Sequence, residues 1–507
     1  MLDQLIEKEK PDQEKTALIY DSTHHSYSEL SRMSSLIANN LFNHGVKKAS
    51  RIALFMDNRP ELIMLYFAIF RLGAIAVPVN YRYKTDELAY VLNDCRADVL
   101  ITEKAKEEYV ENLQQSIKSN LKIFSISTQK NLPWYDFSFL LNNQTLPHPK
   151  QEIIPEDLAI ILYTSGSTAN PKGVMHSHRS ILSAAINLTQ TISQQPSAIH
   201  AITLPICHIA GMVGQMISTL LVGGKIILLP KFDCKSLIDV ILKFEVTHLQ
   251  MVPVNLVELI DYVSNHPCDL TNLRLVMVGG DKVSEILQEK FFSLSHCYVT
   301  EVMGMTESFS YCVNLSHEKT KIGSVGKPAK GVILDLIDEN NHIIKNNNEV
   351  GEIKILSQAN MLGYWEKPEE TKAILRDGYV YSGDLAYRDQ EGFFWFVGRK
   401  KQLIIRGGSN IAPQEVENVL IQHPLIHEVC VVGFTDKKFT QLVCACIVLK
   451  NKKSLFTLND IQLFCKDRLS NYKIPEKIFI FEELPHNTTG KFDRKKIEKM
   501  TLSTDDK

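Results

Sequence analysis

The stretch Tyr163-Thr164-Ser165-Gly166-Ser167-Thr168-Ala169-Asn170-Pro171-Lys172-Gly173-Val174 holds residue types suited to gripping a polyphosphate. Backbone N–H groups, hydroxyls and a cation, gathered by one turn, make an anion-binding concavity. The apolar run Leu158 to Leu162 ahead of it reads as a buried strand. The loop has no Gly-Lys-Ser/Thr ending, so it is not a Walker A motif. A Ser/Gly-rich surface loop is the plain alternative, and residues elsewhere decide between the two.

Five further segments bear on that choice: Leu204-Pro205-Ile206-Cys207-His208-Ile209-Ala210-Gly211, Met303-Gly304-Met305-Thr306-Glu307, Tyr381-Ser382-Gly383-Asp384-Leu385, Gly398-Arg399-Lys400-Lys401 and Asn487-Thr488-Thr489-Gly490-Lys491. Their order and spacing resemble the adenylate-forming superfamily of acyl-CoA synthetases, adenylation domains and luciferases. Within it the chain looks most like bacterial fatty-acyl-CoA synthetases. The resemblance runs from about Ser26 to Lys491. It implies activation of a carboxylic acid by ATP to acyl-AMP, then transfer to coenzyme A, with ATP, Mg²⁺ and coenzyme A required. No charged residue lies between Ile206 and Val222 to pair an ammonium or a second carboxylate. A medium- or long-chain fatty acid is therefore expected, with an aryl acid as the alternative.

The resemblance also implies roles. Thr164, Ser165, Gly166, Ser167 and Thr168 surround the β- and γ-phosphates, with Lys172 nearby. Thr306 and Glu307 fall at the Mg²⁺-linked pair; one carboxylate plus phosphates and waters satisfies that hard cation. Met303 stands where relatives carry an aromatic on adenine, and Gly304 follows it. A thioether packs on a purine without a flat π surface. Gly280, with Gly279, ends a strand where backbone approaches the nucleotide. Asp384 and Arg399 match the ribose contacts. His208 borders the acyl carboxylate, beside Ile209, Ala210, Met212, Val213 and Met216 as pocket wall. Lys491 bridges carboxylate and α-phosphate. Lys401 matches the hinge, and Gly408, after Gly407, faces the pantetheine tunnel. Ala169 replaces a common glycine, and Asp281 a small apolar residue.

Two rivals share these motifs. One is an adenylation protein that loads an aryl or fatty acid onto a carrier-protein thiol. The other is a nucleotide-binding relative that has lost catalysis, against which Lys172, Glu307, Asp384, Arg399 and Lys491 all argue.

The elements that must carry these residues alternate. Ser26 and Glu29 have capping-box spacing ahead of a helix. Strands at 51–56, 74–79 and 97–102 are separated by a helix opened by Pro60 and another at 86–94. Apolar strands return at 225–229, 248–252 and 274–278. That alternation predicts an α/β fold, with parallel sheets covered by helices in a large multi-sheet domain, residues 1–397. A hinge at 398–401 leads to a small mobile α+β domain, 402–507. Residues 103–150 read as an irregular surface excursion.

The chain has 507 residues, too long for one core. Its net charge of −2 excludes a global polycation, so nucleic acid is not expected. Ten cysteines without a CxxC pair suit buried thiols in a cytoplasmic protein. The apolar stretch 62–79 is broken by Arg71 and Gly73, so it reads as helix plus strand and not as a membrane span. Peripheral membrane contact and a homodimer remain compatible with this reading.

Overall fold

A computed structural model describes residues 1–7, 14–113, 116–117, 121–126, 133–142, 151–164, 171–280, 283–315, 321–407, 409–436, 438–451, 456–486 and 492–505. The chain packs into two compact units. The first comprises Met1–Leu334 with Ile355–Val380, and the second Asp335–Lys354 with Tyr381–Lys507.

The first unit holds two large sheets. One has nine strands, with the central order Val299–Met305, Leu275–Gly279, His248–Met251, Ile199–Ile202, Lys225–Leu228 and Thr16–Tyr20. These pairs are parallel, and the outer strands at both ends run antiparallel. The other sheet has eight strands; its parallel centre is Ile75–Pro78, Arg51–Phe55 and Val99–Glu103. There Leu158–Thr164 joins Ile75–Pro78 in parallel and Lys172–Ser177 in antiparallel fashion. Parallel strands need crossovers, and helices supply them. Tyr27–Asn43 starts at Ser26, whose hydroxyl accepts Glu29 N–H at 3.1 Å. Pro60–Arg71 opens on its proline, where a missing N–H costs no helical bond. Leu237, Ile241, Leu249, Met251, Leu256 and Val276 form part of one core beneath the nine-stranded sheet.

Residues 103–150 correct the expectation of an irregular excursion. Lys122–Ile126 pairs in parallel with Val99–Glu103 and extends the eight-stranded sheet. Only Phe124, Ser125 and Ile126 of that strand are buried, so its polar start hid the pattern. No helix among the described residues is long and apolar enough to cross a membrane. Cys444 and Cys446 are buried, in line with the expectation of buried thiols.

The second unit is α+β. One of its sheets runs Ser409–Ile411, Ile404–Arg406, Thr440–Leu449, Ile426–Asp436, with Lys477–Phe481 parallel to Thr440–Leu449. Helices Pro413–Leu420 and Leu458–Cys465 pack Val416, Leu420, Ile461 and Cys465 into its core.

The first unit buries several imidazoles as neutral rings. Burial drives His176, His178 and His248 from 6.5 down to about 4, and His200 well below its ordinary value. Unfolded imidazoles protonate near 6.5, so the stability linked to these rings is complete above that pH. It is lost as pH falls toward 4. Urea midpoints should therefore drop between pH 7 and pH 5, reflecting a loss of unfolding free energy on the order of 1–2 kcal/mol for each fully buried ring. Equal midpoints at the two pH values would contradict this.

Candidate active site

The ends of Leu158–Thr164 and Lys172–Ser177 meet as an antiparallel pair, with Thr164 opposite Lys172. Thr164 and Lys172 thus form the base of the predicted phosphate loop. Ser165, Gly166, Ser167 and Thr168 lie outside the described residues. Beyond Lys172, Val174 and Met175 pair with a two-residue strand, Gly363–Tyr364. Trp365 N–H donates to the Gly173 carbonyl at 2.8 Å, and Leu362 N–H to that of Met175 at 2.8 Å. Gly363 sits at φ +143°, and a Cβ there would lie 2.8 Å from Thr371 Cγ2. Only glycine lets the chain pass so close to the helix Pro368–Ile374.

That pairing delivers Tyr364 to the site. Its hydroxyl donates to Glu307 Oε1 at 2.7 Å. The Lys172 ammonium lies 5.2 Å from the centre of its ring. Burial and the Glu307 carboxylate raise the phenol's pKa, so it stays a protonated donor. Lys172 is also ion-paired with Glu370.

Thr306 and Glu307 occupy a tight turn between strands Val299–Met305 and Phe309–Asn314. Gly304 is needed there, because a Cβ would meet the Phe309 carbonyl at 2.6 Å. Met361 N–H donates to the Glu307 carbonyl at 2.8 Å. From the eight-stranded sheet, buried His176 reaches the Thr306 carbonyl through Nε2 at 2.7 Å and Ser180 Oγ through Nδ1 at 3.1 Å. Neutral at pH 7, it donates from Nε2 to that carbonyl. Among the described residues no group of three or more His, Cys, Asp or Glu could cage a metal ion. One carboxylate beside Lys172 suits a Mg²⁺ that arrives with phosphates and keeps its waters.

Met303 is partly buried on strand Val299–Met305, directly beside the one that ends at Gly279. Strand pairing sets Gly279 against Val302, whose carbonyl would lie 2.5 Å from an added Cβ. Gly280 follows at φ +94°, and Asp281 lies outside the described residues. His208 accepts a backbone bond from Met212 N–H at 2.9 Å, at the entry to a π-helix, Ala210–Ile217. Burial, aided by the charge of Arg82, pushes His208 down to about 4. It is therefore an uncharged ring at pH 7. Met212, Val213 and Met216, expected as pocket wall, are fully buried; Ile209 and Ala210 keep some exposure.

In the second unit Asp384 and Arg399 face each other across strands Tyr379–Arg388 and Phe394–Arg399. Arg399 Nε lies 3.0 Å from Asp384 Oδ1. Asp384 is buried, and its N–H donates to Ser382 Oγ at 3.0 Å, which in turn donates to the Ile353 carbonyl at 2.7 Å. Lys401 is exposed in a short 3₁₀ turn, Lys400–Gln402. Gly407 sits at φ +54°, with its N–H on the Phe439 carbonyl at 2.8 Å. Gly408 and Lys491 lie outside the described residues.

A model of the AMP-binding enzyme family matches residues 7–365, and one of the AMP-binding enzyme C-terminal domain matches 415–491. The chain belongs to the AMP-binding enzyme family. This AMP-binding enzyme is 30% identical over 481 residues to an indoleacetate–CoA ligase of Aromatoleum aromaticum, covering 94% of this chain and 93% of that one. It is 30% identical to a long-chain-fatty-acid–CoA ligase of Bacillus subtilis, over 96% of this chain and 91% of that one. A 2-succinylbenzoate–CoA ligase of the same organism is 31% identical over 97% of each chain. Among solved structures, an anthranilate CoA ligase with anthranoyl-AMP superposes with TM-score 0.90 at 26% identity, covering 99% of this chain and 98% of that one. The Bacillus subtilis o-succinylbenzoate synthetase with ATP and magnesium gives 0.83 at 28%, covering 96% and 97%.

Sequence reasoning missed His176, Tyr364 and Glu370. The run Gly363-Tyr364-Trp365 was a visible signal, but only its pairing with Lys172–Ser177 shows what it serves. Tyr364→Phe leaves Glu307 without its donor. It should raise the Mg²⁺ concentration for half-maximal acid-dependent ATP–pyrophosphate exchange by roughly three- to tenfold. An unchanged Mg²⁺ titration would show that the hydroxyl does not serve Glu307.

Proposed function

We propose that the protein is an AMP-forming acid–CoA ligase. It joins a carboxylate to the α-phosphate of ATP, expels pyrophosphate, and passes the acyl group to the sulfur of coenzyme A. The observation that carries this reading is the Lys172–Tyr364–Glu307 cluster at the base of the phosphate loop, in a chain of the AMP-binding family. The relatives named above, each called a CoA ligase, support it.

A carboxylate and ATP repel each other, so the site must hold both and offset their charge. Thr164, Ser165, Gly166, Ser167, Thr168 and Lys172 take the β- and γ-phosphates. Glu307 and Thr306 would hold Mg²⁺, which supplies charge neutralisation at the phosphates when bound. Met303 and Gly304 pack along adenine, with Gly280 giving room for the backbone. Asp384 accepts from the ribose hydroxyls while Arg399 donates. His208, an uncharged ring, borders the acyl carboxylate. Lys491 bridges carboxylate and α-phosphate as they react. Residues 1–397 and 402–507 act as two domains about a hinge at 398–401 centred on Lys401. Gly408 leaves room for the pantetheine arm.

Packing bears on the acid. Met212, Val213, Gln215 and Met216 are fully buried along the helix after His208, and Gly214 lies flush against the amide of Gln250. A long alkyl tail along this helix would have to part it from the sheet. A compact apolar or aryl acid is the better fit, and a medium- or long-chain fatty acid is the second reading.

Acid-dependent ATP–pyrophosphate exchange, followed by acyl-CoA formation with free coenzyme A, tests the activity. Compact aromatic and short aliphatic acids should give kcat/KM values at least about tenfold above hexadecanoate, the scale set by a poorly accommodated tail. The reverse order would restore the fatty-acyl reading, and no exchange with any acid would remove the ligase assignment. Lys491→Ala should abolish exchange yet retain most acyl transfer from supplied acyl-AMP to coenzyme A. Equal loss of both half-reactions would contradict its role.

A further inference from the structure

Lys172 has two partners of different kinds. The ring of Tyr364 is buried and fixed by strand pairing, and the ammonium rests 5.2 Å from its centre. Glu370 is the other. It stands on the short helix Pro368–Ile374, its side chain 40% exposed, while that of Lys172 is only 14% exposed. Two further anions face the same place. Glu307 lies at the far end of Tyr364, and Asp94 accepts from the hydroxyls of Tyr163 at 2.6 Å and of Tyr90 at 3.4 Å. The negative charge of Glu370 is felt at both Tyr90 and Tyr364.

We propose that Glu370 is a displaceable stand-in for a nucleoside triphosphate, pairing with Lys172 while the site is empty and surrendering it when the phosphates arrive. The inference rests on the ATP site proposed above. The difference between the two partners makes the exchange workable. The contact with the Tyr364 ring uses quadrupole attraction and carries no negative charge to repel phosphate. It keeps the ammonium in position after Glu370 leaves. The Glu370 oxygen that meets Lys172 is covered, but the side chain as a whole is partly exposed, so a turn of that side chain returns its carboxylate to water at modest cost. A triphosphate brings several negative charges and multiple acceptor oxygens, so it outcompetes a single carboxylate. Glu370 thus lowers nucleotide affinity and prevents an uncompensated, half-buried ammonium in the empty site.

The test is equilibrium binding of ATP with Mg²⁺, without acid, to the wild type, Glu370→Gln, Lys172→Met and the double variant. Glu370→Gln should tighten ATP binding by about two- to fivefold, the scale of a partly exposed ion pair. The same change in the Lys172→Met background should do nothing, because the lysine for which Glu370 competes is gone. Unchanged or weaker binding in the single variant overturns the proposal. So does a gain that persists without Lys172, since that would be general repulsion. Acid-dependent pyrophosphate exchange by the wild type separates the two readings. Exchange with unaltered Glu370→Gln affinity rejects the stand-in and leaves the ligase assignment intact.

Discussion

One tyrosine serves two opposite charges. The hydroxyl of Tyr364 donates to Glu307, and its ring lies against the ammonium of Lys172. A hydrogen bond to a carboxylate is worth about 1.5–3 kcal/mol, and a cation–π contact about 0.5–2 kcal/mol. Of the two contacts made by Tyr364, the one to the carboxylate is therefore the stronger.

The fold makes this arrangement by joining distant segments. A two-residue strand on the edge of the eight-stranded sheet brings Tyr364 beside Lys172. Glu307 comes from a turn on the other sheet, and His176 links that turn to the strand after Lys172. Each contact is short-range, but the partners lie far apart in sequence. Burial of neutral His176 makes its donor bond to Thr306 costly to lose, since an unpaired buried carbonyl would remain. The turn is thus anchored at Thr306 by the imidazole and at Glu307 by Tyr364 and the backbone of Met361.

The second unit prepares its own pair in a simpler way. Asp384 and Arg399 are opposite residues on antiparallel strands, so sheet register alone sets their meeting. Asp384 is buried and Arg399 half exposed, giving a fixed acceptor with an adjustable donor.

The alternation of helices and strands was legible because hydrophobic period and capping residues are local. Ser26, Pro60 and the apolar runs at 225–228, 248–251 and 275–279 act where the sequence says they do. Thr164, Lys172, Thr306, Glu307, Asp384 and Arg399 were singled out from short motifs, and strand pairing sets Thr164 opposite Lys172 and Asp384 opposite Arg399. The turn at Thr306, the strand Lys122–Ile126 and the service of Tyr364, His176 and Glu370 were not legible. Those depend on which edge a short strand joins and which ring a distant ammonium meets. Such choices follow from the packing of whole sheets, which no local stretch of residues encodes.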